Sequence, residues 1–462
     1  MRNKLILLVL ASLSLAACAN NPLRSYASET NQPLQNVANH QLDLAINSFN
    51  GDDSDIMNRL ELASLYRMDM QYPKSINDLI SANAYVDLWY KSYNNSQAGN
   101  AANVIEAGLL NDKILNYQVK DYEKVMIFTY QALNHLDAGD VNSARVEITR
   151  MYQMEDKIKN FRDAQYAKAK SAQAQNPQGA PSLDQFEAAN KNSYDFSFIN
   201  QTSALKLENS YQNAFSHYLA GFIFQKLGEN DLAYPAYRRA LELNPNNAMI
   251  QANLNAINNH KVPATGITDL LIVEEVGHAP QVVSKSLSVP WLINRNNNNC
   301  PIVLKMSLPA LQVDQTDRVV PIKVDSHASL NPSFFTDVNL MAARTLHDNL
   351  PNIFIENLIR VGRDFLAQQE ACKQGGGMGS LATAGFGQIF NEADERTWVM
   401  LPSKIYVART NLKQGIHQIT VQLPNGTLYQ AKVKLSQAYQ VLVLRVIGNS
   451  VYFSQEQAMQ TQ

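Results

Sequence analysis

The stretch HYLAGFIFQKLGENDLAYPAYRRALELNP (His217–Pro245) restricts the fold of this chain more than any other. Large apolar side chains recur at helical spacing on both sides of a short break, and small residues stand where two helices must touch. The break contains Gly228 and Asn230, which favour a turn, and Pro245 stands where the second helix must stop. The pattern therefore predicts two helices that fold back on each other.

This stretch resembles the tetratricopeptide repeat, a helix pair of roughly 34 residues that stacks into arrays. The positions in register with that repeat are Ala220, Gly221, Phe224, Ala233, Tyr237, Ala240 and Pro245. Two weaker copies cover Ile56–Asp87 and the segment from Phe128 to Met151, and Asn246–His260 is predicted to be a polar capping helix. Because one pair cannot bury its own apolar face, the resemblance implies a helical repeat domain over residues 52–260.

In such arrays the first helix of each pair lines a concave groove. The register places Phe215, Tyr218, Phe222, Gln225 and Lys226 in that groove in the best copy. Three aromatic rings beside an amide and an ammonium group favour the binding of an extended peptide or a helix of a partner protein. The alternative is internal packing, in which a neighbouring helix or the β-rich part of the chain fills the groove.

After residue 260 the pattern changes to alternating, Val-rich runs that are typical of strands. These runs are Thr268–Glu275, Gln281–Val289, Ile302–Leu308, Val319–Val324 and a last group from Thr397 to Phe453. The clearest hairpin is Ile416–Leu435, in which Asn425 and Gly426 can take the positive φ of a tight turn. Its segment LKQGIHQITV is similar to a strand of small PEGA-type surface modules.

The predicted fold class is therefore α+β with more than one domain. An N-terminal α-helical, tetratricopeptide-like solenoid precedes a β-sandwich-like domain over residues 261–462. A helical and Gly-rich insertion is predicted at residues 332–394, with Phe354, Leu358, Val361 and Phe365 on one helix face. Within it, segment 375–391 is either a hinge and apolar helix that touches a membrane or a partner, or a loop packed under the β-rich part.

The first residues have the features of a secretory signal peptide, since Arg2 and Lys4 precede an apolar run that ends in small residues. Leu15, Ala16, Ala17 and Cys18 resemble the bacterial lipoprotein cleavage box. The resemblance implies removal of residues 1–17 and a lipid anchor on Cys18, and the residues after Cys18 favour the outer membrane, facing the periplasm. The polar segment 18–51 is predicted to be a tether between the lipid and the folded part.

Two further cysteines, Cys300 and Cys372, remain if Cys18 carries the lipid. In an oxidising compartment they can form a disulfide, which by loop closure would add about 4 kcal/mol of stability. The alternative is a pair of buried free thiols.

Composition and spacing exclude several classes of function. The formal net charge is −2 and 17% of the residues are charged, so we expect no binding to nucleic acid. The eight histidines are scattered and no HExxH motif is present, so no metal site is predicted. Ser380 has Met378 where GxSxG requires glycine, and no GK[ST] follows the glycines after Gln374, so we expect neither a serine hydrolase nor a nucleotide or other cofactor.

The cleavage box, the repeats, the β-rich part and the segment GGGMGSLATAGFGQIFNEADERTWVMLPSKIYVAR together resemble a family of Gram-negative periplasmic lipoproteins. The resemblance implies a non-catalytic scaffold that binds a periplasmic or envelope protein in cell-envelope assembly or maintenance. One alternative is an activator of peptidoglycan synthases. Another is a hydrolase or ligand-binding protein, which requires the side chains of Asp348, Glu356, Arg360, Arg363 and Glu370 to converge in a cleft.

Overall fold

The chain folds as an α+β protein, with helices in its first part and mixed sheets in its second. The computed structural model describes residues 25–49, 51, 55–97, 117–173, 183–259, 262–295, 298–325, 329–354, 393–455 and 459–461. The last helix before the sheets ends at Asn258 and the first strand begins at Ile267, close to the predicted change of pattern at residue 260.

Four helix pairs form the first part of the chain. They are α1 (Tyr26–Ala38) with α2 (Leu42–Phe49), α3 (Ile56–Met68) with α4 (Tyr72–Gln97), α5 (Asp121–Asp137) with α6 (Val141–Gln173), and α10 (Ala214–Lys226) with α11 (Asn230–Leu243). Between and after the pairs lie α7 (Leu183–Asn190), α8 (Phe196–Ile199), α9 (Thr202–Leu205) and α12 (Ala248–Asn258). Residues 338–354, within the predicted insertion, are also helical and form α13.

The four pairs share one turn. A residue with positive φ follows each first helix: His40 (60°), Met70 (55°), Gly139 (81°) and Gly228 (76°). The next N–H donates to the carbonyl five residues earlier, at 2.7–2.8 Å, from Gln41 to Asn36, Gln71 to Tyr66, Asp140 to His135 and Glu229 to Phe224. This is the Schellman arrangement, which satisfies carbonyl groups at a helix end. Its recurrence at four places shows one repeated helix–turn–helix unit.

The prediction of a tether over residues 18–51 is wrong for the part that the structure describes. Residues 26–38 and 42–49 are helices, and Val37 and Ala45 are fully buried in the same core as the other pairs. The polar composition of this segment misled the prediction, because few apolar residues suffice when each one faces the core.

The predicted contact between small and bulky residues in the best pair is present. Gly221 of α10 lies against Tyr237 of α11, and a Cβ at residue 221 would stand 2.6 Å from the Tyr237 ring. The absence of a side chain at residue 221 therefore sets how closely the two helices approach.

Two sheets and one long hairpin form the second part. The five-stranded sheet has the order β10-β9-β1-β6-β5 and the four-stranded sheet the order β11-β8-β7-β4, while β2 and β3 form a separate two-stranded sheet among the described strands. The strands are β1 (Ile267–Val276), β2 (Gln281–Arg295), β3 (Asn298–Gln312), β4 (Ile322–Val324), β5 (Ser333–Asp337), β6 (Lys404–Lys413), β7 (Gly415–Gln422), β8 (Leu428–Leu435), β9 (Tyr439–Ile447), β10 (Ser450–Phe453) and β11 (Met459–Thr461). The central strand β1 is parallel to β9 and antiparallel to β6.

Strand β1 separates two hydrophobic cores. Its residues Leu271 and Val273 face the helices and belong to one core that runs through all four pairs and the five-stranded sheet. Leu270 and Ile272 face the other way, into a core shared with the four-stranded sheet. The molecule is thus layered as helices, sheet and sheet, and the helical pairs share their core with the five-stranded sheet. A third core joins α7, α8, the β2–β3 hairpin and α13.

Three local predictions in the second part need correction. Residues 333–337 are not the start of a helical insertion but form β5, which pairs with β6. Residues 397–401 are not a strand, and β6 begins at Lys404. In the β7–β8 turn Gly426 has positive φ (91°) but Asn425 does not, and the side chain of Asn425 accepts the Thr427 N–H.

Among the described residues, no helix combines the length and the apolar character needed to cross a bilayer.

One glutamate is enclosed between the two sheets. Glu274 of β1 is fully buried, and its Oε1 accepts the Val320 N–H at 2.8 Å. Burial raises the pKa of Glu274 from 4.5 to about 8, although the hydrogen bond from Val320 acts in the opposite direction. In the pH range between these values, the folded chain holds a proton that the unfolded chain has released.

We predict that Glu274 makes the protein less stable as the pH rises from about 4.5 to about 8, because ionisation is favoured only in the unfolded chain. Replacing Glu274 by Gln keeps the acceptor for Val320 and removes the ionisation. The difference in the free energy of unfolding between the Gln variant and the wild type should grow with pH, on the order of 4 kcal/mol across this range. Urea denaturation at several pH values measures it, with Glu242→Gln on an exposed face of α11 as the control. Parallel curves for the wild type and Glu274→Gln would contradict the prediction.

Candidate functional site

The five residues predicted to line a partner-binding groove do not face an open groove. Phe215, Tyr218 and Phe222 are fully buried, Gln225 is 7% exposed and Lys226 is half-buried. The sequence left open whether the β-rich part fills this groove, and in the structure it does.

The side chain that fills this groove is Arg409 of β6. Its Nη1 donates to Tyr218 Oη at 3.3 Å, its Nη2 donates to Gln225 Oε1 at 2.8 Å, and its guanidinium carbon lies 5.1 Å from the centre of the Phe222 ring. Asp269 of β1 accepts from Nε and Nη2 at 2.8 and 2.6 Å. The aromatic rings and the amide thus bind a guanidinium group of the same chain, which is the internal packing that the sequence left open.

The other two groove residues also contact the sheets. The Lys226 ammonium donates to Gln437 Oε1 at 2.6 Å and to the Tyr439 carbonyl at 3.0 Å. The Phe215 N–H donates to Thr336 Oγ1 of β5 at 3.2 Å. The prediction of a partner-binding groove at these five residues is therefore wrong for the folded chain.

A second insertion into the helical pairs is made by residues 397–401 (TWVML), here named the Trp398 loop. All five residues are at most 1% exposed. The Trp398 indole N–H donates to Ser64 Oγ of α3 at 2.9 Å, and its ring meets Tyr130 of α5 edge to face at 5.5 Å. The loop lies between the first two long helix pairs, where a tetratricopeptide-like array would hold a peptide.

Two glutamates bind the main chain of the Trp398 loop. Glu61 of α3 accepts the Val399 N–H at 2.9 Å and the Met400 N–H at 2.8 Å. Glu123 of α5 accepts the Trp398 N–H at 2.8 Å. Three successive backbone N–H groups of the loop thus donate to two fully buried glutamates.

Each glutamate has further donors that hold it in place. Tyr26 Oη of α1 donates to Glu61 Oε1 at 2.7 Å, and Tyr117 Oη and the Lys120 N–H donate to Glu123 Oε2, both at 2.9 Å. Burial raises the pKa of Glu61 to about 8, while the hydrogen bonds from Tyr26 and from the loop lower it. The segment predicted to be a tether therefore supplies one of the groups that orient this site.

The carbonyl groups of the Trp398 loop face the sheet. The Val399 and Leu401 carbonyls both accept the Ala279 N–H, at 3.2 and 2.6 Å, and Arg445 of β9 donates to the Met400 carbonyl at 3.1 Å. The loop is therefore bound on one side by helices and on the other by strands. The arrangement thus binds the main chain of one segment from both sides.

A buried ionic cluster lies beside the loop. Arg67 of α3 donates to Glu275 of β1 at 3.3 Å, and Arg445 lies 3.7 Å from the other oxygen of Glu275. All three side chains are at most 5% exposed, and the Arg67 guanidinium stacks 4.7 Å above the Tyr130 ring. Arginine and glutamate in such a place link α3, β1 and β9 at a defined register.

A polar cavity of about 420 Å³ is lined by His278, Asp314 and Asp317 among others. His278 Nδ1 lies 2.7 Å from the Ala279 carbonyl and Nε2 lies 3.8 Å from Asp314, and burial lowers the pKa of His278. In the described ranges, no three side chains of His, Cys, Asp or Glu are grouped so that they could hold a metal ion.

The remaining predicted residues belong to the second part of the chain or to its first residues. Cys18, Cys372 and segment 375–391 lie outside the described residues, as do Glu356, Arg360, Arg363 and Glu370. Cys300 is in β3, opposite Ile293 of β2, and Asp348 pairs with Arg344 on α13 at 2.8 Å. The disulfide and the possible cleft in the insertion therefore stay predictions.

The residues that hold the Trp398 loop were missed by the sequence analysis. Glu61 stands between Leu60 and Leu62. Glu123 lies in the first turn of α5, a helix in which nearly every residue is buried. A charged residue on an otherwise apolar helix face was the available signal, but its partner lies more than 270 residues away along the chain.

No protein-family model matches the chain, and comparison with curated proteins gives no match either.

We predict that Glu61→Gln exposes the Trp398 loop to solvent exchange. A glutamine side chain has one acceptor oxygen in place of two, so it cannot replace both the acceptor for the Val399 N–H and the acceptor for the Met400 N–H. Amide exchange at residues 399 and 400 should accelerate at least tenfold, with a loss of about 2 kcal/mol in the free energy of unfolding. Hydrogen exchange read by mass spectrometry measures the first, and urea denaturation the second.

Glu147→Gln on α6 is the matched control, since Glu147 is also a helical glutamate that is 4% exposed but has no contact with the loop in the structure. It should leave exchange at residues 399 and 400 unchanged. Equal exchange in the wild type and Glu61→Gln would show that the carboxylate does not hold the loop.

Proposed function

We propose that this protein is a non-catalytic, lipid-anchored scaffold of the outer membrane that faces the periplasm and binds an envelope protein. The lipid on Cys18 attaches the chain to the membrane. The four helix pairs and the two sheets then act as one rigid platform for a partner in cell-envelope assembly or maintenance.

The observation that supports a platform is the binding of the Trp398 loop by Glu61 and Glu123. Helical-repeat arrays use this inner surface to hold segments of other proteins. Here the surface holds a segment of the same chain, so the helices cannot move relative to the sheet without uncovering buried N–H groups. A partner must therefore dock on an outward face.

Helix α4 offers such a face. Ile80 and Leu88 are 50% and 39% exposed, and Ala84 between them is also exposed. Residues four apart lie on the same side of a helix, so the three side chains form one apolar stripe about 12 Å long. An apolar stripe of this shape fits an amphipathic helix of the partner.

The anchor is tested with Cys18→Ser. Without the sulfur that carries the lipid, the protein should no longer incorporate labelled fatty acid and should move from the membrane fraction to the soluble fraction. A Cys300→Ser variant, whose cysteine is in β3, should behave like the wild type. Retention of Cys18→Ser in membranes after a high-salt wash contradicts the proposed anchor.

The docking face is tested by replacing both Ile80 and Leu88 with Ser and crosslinking in cells from a photoreactive residue at position 84. If the stripe binds an envelope protein, the crosslinked species should fall at least tenfold, while the midpoint of thermal unfolding stays within a few degrees because both side chains are exposed.

The matched control replaces Leu232 and Tyr234 of α11, which are 43% and 39% exposed but are two residues apart and so do not share a face. This control should leave crosslinking from position 84 intact. The same crosslinked species in wild type and in Ile80→Ser/Leu88→Ser would rule out the stripe as the docking face.

A further inference from the structure

One face of the four-stranded sheet is buried and the other is open to solvent. The buried face packs in the core that this sheet shares with β1. Side chains alternate along a strand, so the residues between the buried ones form the outer face. This outer face, here named the basic face, exposes Lys323 of β4, Ile416 and Gln418 of β7, and Lys432 and Lys434 of β8. Since the molecule is layered as helices, sheet and sheet, the basic face points away from the helical pairs.

The register of the sheet brings three lysines together on the basic face. Lys432 is opposite Gln418 and Lys434 is opposite Ile416, while Lys323 lies in β4, on the other side of β7. From the usual spacing of strands and of residues along them, the Cα atoms of the three lysines lie within about 17 Å of one another. Ile416, beside Lys434, is 72% exposed.

No carboxylate among the described residues pairs with these three ammonium groups. At the rim of the face, Asp325 accepts the Gln418 N–H at 2.7 Å, and its other carboxylate oxygen lies 2.7 Å from His417 Nδ1. The sequence shows the same bias, because residues 397–455 contain six basic side chains and neither Asp nor Glu. The whole chain has a formal net charge of −2, so the excess of positive charge is local to this part.

The shape and charge of the basic face are complementary to an anionic bilayer surface. A flat sheet face can contact a plane with several side chains at once. Each lysine close to anionic headgroups raises membrane affinity by about fivefold, and an exposed apolar side chain such as Ile416 can enter the interface between headgroups and acyl chains. A single acyl anchor supported by a basic patch is a recognised way to hold a protein on a membrane.

The proposed lipid on Cys18 would keep the basic face near a bilayer. The seven peptide units from Cys18 to Ser25, the residue that caps α1, span at most about 25 Å. Helix α1 adds about 20 Å, and the ring of His40 just after it lies 5.9 Å from the ring of Tyr429 in β8. The lipid therefore stays within roughly 60 Å of β8, which gives the basic face a high effective concentration at the membrane.

We propose that the basic face binds the surface of a bilayer that contains anionic phospholipids. Lys323, Lys432 and Lys434 lie at the headgroup phosphates, and Ile416 enters the interface. The proposal deepens the scaffold function and rests on its location at a membrane: the lipid holds the chain there, and the basic face orients it. The helical pairs are then directed away from the bilayer, towards a partner.

The test is cosedimentation with vesicles of the chain from residue 18, which contains every described residue and carries Cys18→Ser so that it has no lipid. At about 20 mM salt, where screening is weak, vesicles with about 30% phosphatidylglycerol in phosphatidylcholine should bind it on the order of 100-fold better than phosphatidylcholine alone. Raising the salt to about 0.5 M should release the protein.

The face itself is tested with the triple variant Lys323→Gln, Lys432→Gln and Lys434→Gln. Its binding to the anionic vesicles should fall to within about threefold of the binding to phosphatidylcholine, because the three charges supply the attraction. The matched control is Lys159→Gln, Lys191→Gln and Lys206→Gln, which changes the net charge equally at exposed lysines of the helical part. It should keep binding within about twofold of the wild type, and both variants should unfold at the wild-type temperature.

Three results would overturn the proposal: no binding of the wild type to anionic vesicles at low salt, equal binding by the wild type and the basic-face variant, or an equal loss in the control. Tighter cosedimentation with purified peptidoglycan at the same salt would assign the face to that polymer and also overturn it. Because the lipid is absent here, a negative result contradicts the basic face and not the anchor, which fatty-acid labelling tests separately.

Discussion

The rest of the structure depends on the binding of three successive backbone N–H groups of the Trp398 loop by Glu61 and Glu123. A loop that leaves its N–H groups buried without acceptors costs several kcal/mol, and here two helices supply the acceptors. Because the carbonyl groups of the same loop are bound by β-strand residues, the loop joins helices to sheet through its own main chain. One hydrophobic core can then extend across both parts of the molecule.

The charged groups along this junction align the parts more than they stabilise them. Arg409 with Asp269, and Arg67 with Glu275 and Arg445, are buried pairs, and the cost of removing them from water offsets most of their attraction. Breaking one partner would leave a buried charge, so each pair disfavours any other register of helix against strand. The aromatic residues around Arg409 contribute to the same alignment, since its guanidinium donates to Tyr218 and lies over the Phe222 ring.

A rigid junction has consequences for function. The inner surface of the helical pairs is occupied by Arg409 and the Trp398 loop, so a partner must use an outward face, and the stripe on α4 exposes Ile80 and Leu88 on such a face.

The sequence by itself determined the local elements: the helix pairs around Gly139 and Gly228, the change to strands after residue 260, and the β7–β8 hairpin. These depend on side-chain periodicity and turn residues within about ten positions, which a single sequence displays.

The turns at His40 and Met70 have the same geometry without glycine, so packing must stabilise their positive φ. The pair with its turn at Met70 was nevertheless predicted from its apolar spacing, whereas the polar composition of residues 26–49 concealed the helices there. The tertiary structure alone decided what each apolar face meets. The spacing of Tyr218 and Phe222 is the same whether the groove is open or filled. These residues are internal because Arg409, 191 residues after Tyr218, packs against them. A pattern specifies that a face must be covered, and long-range packing selects the segment that covers it.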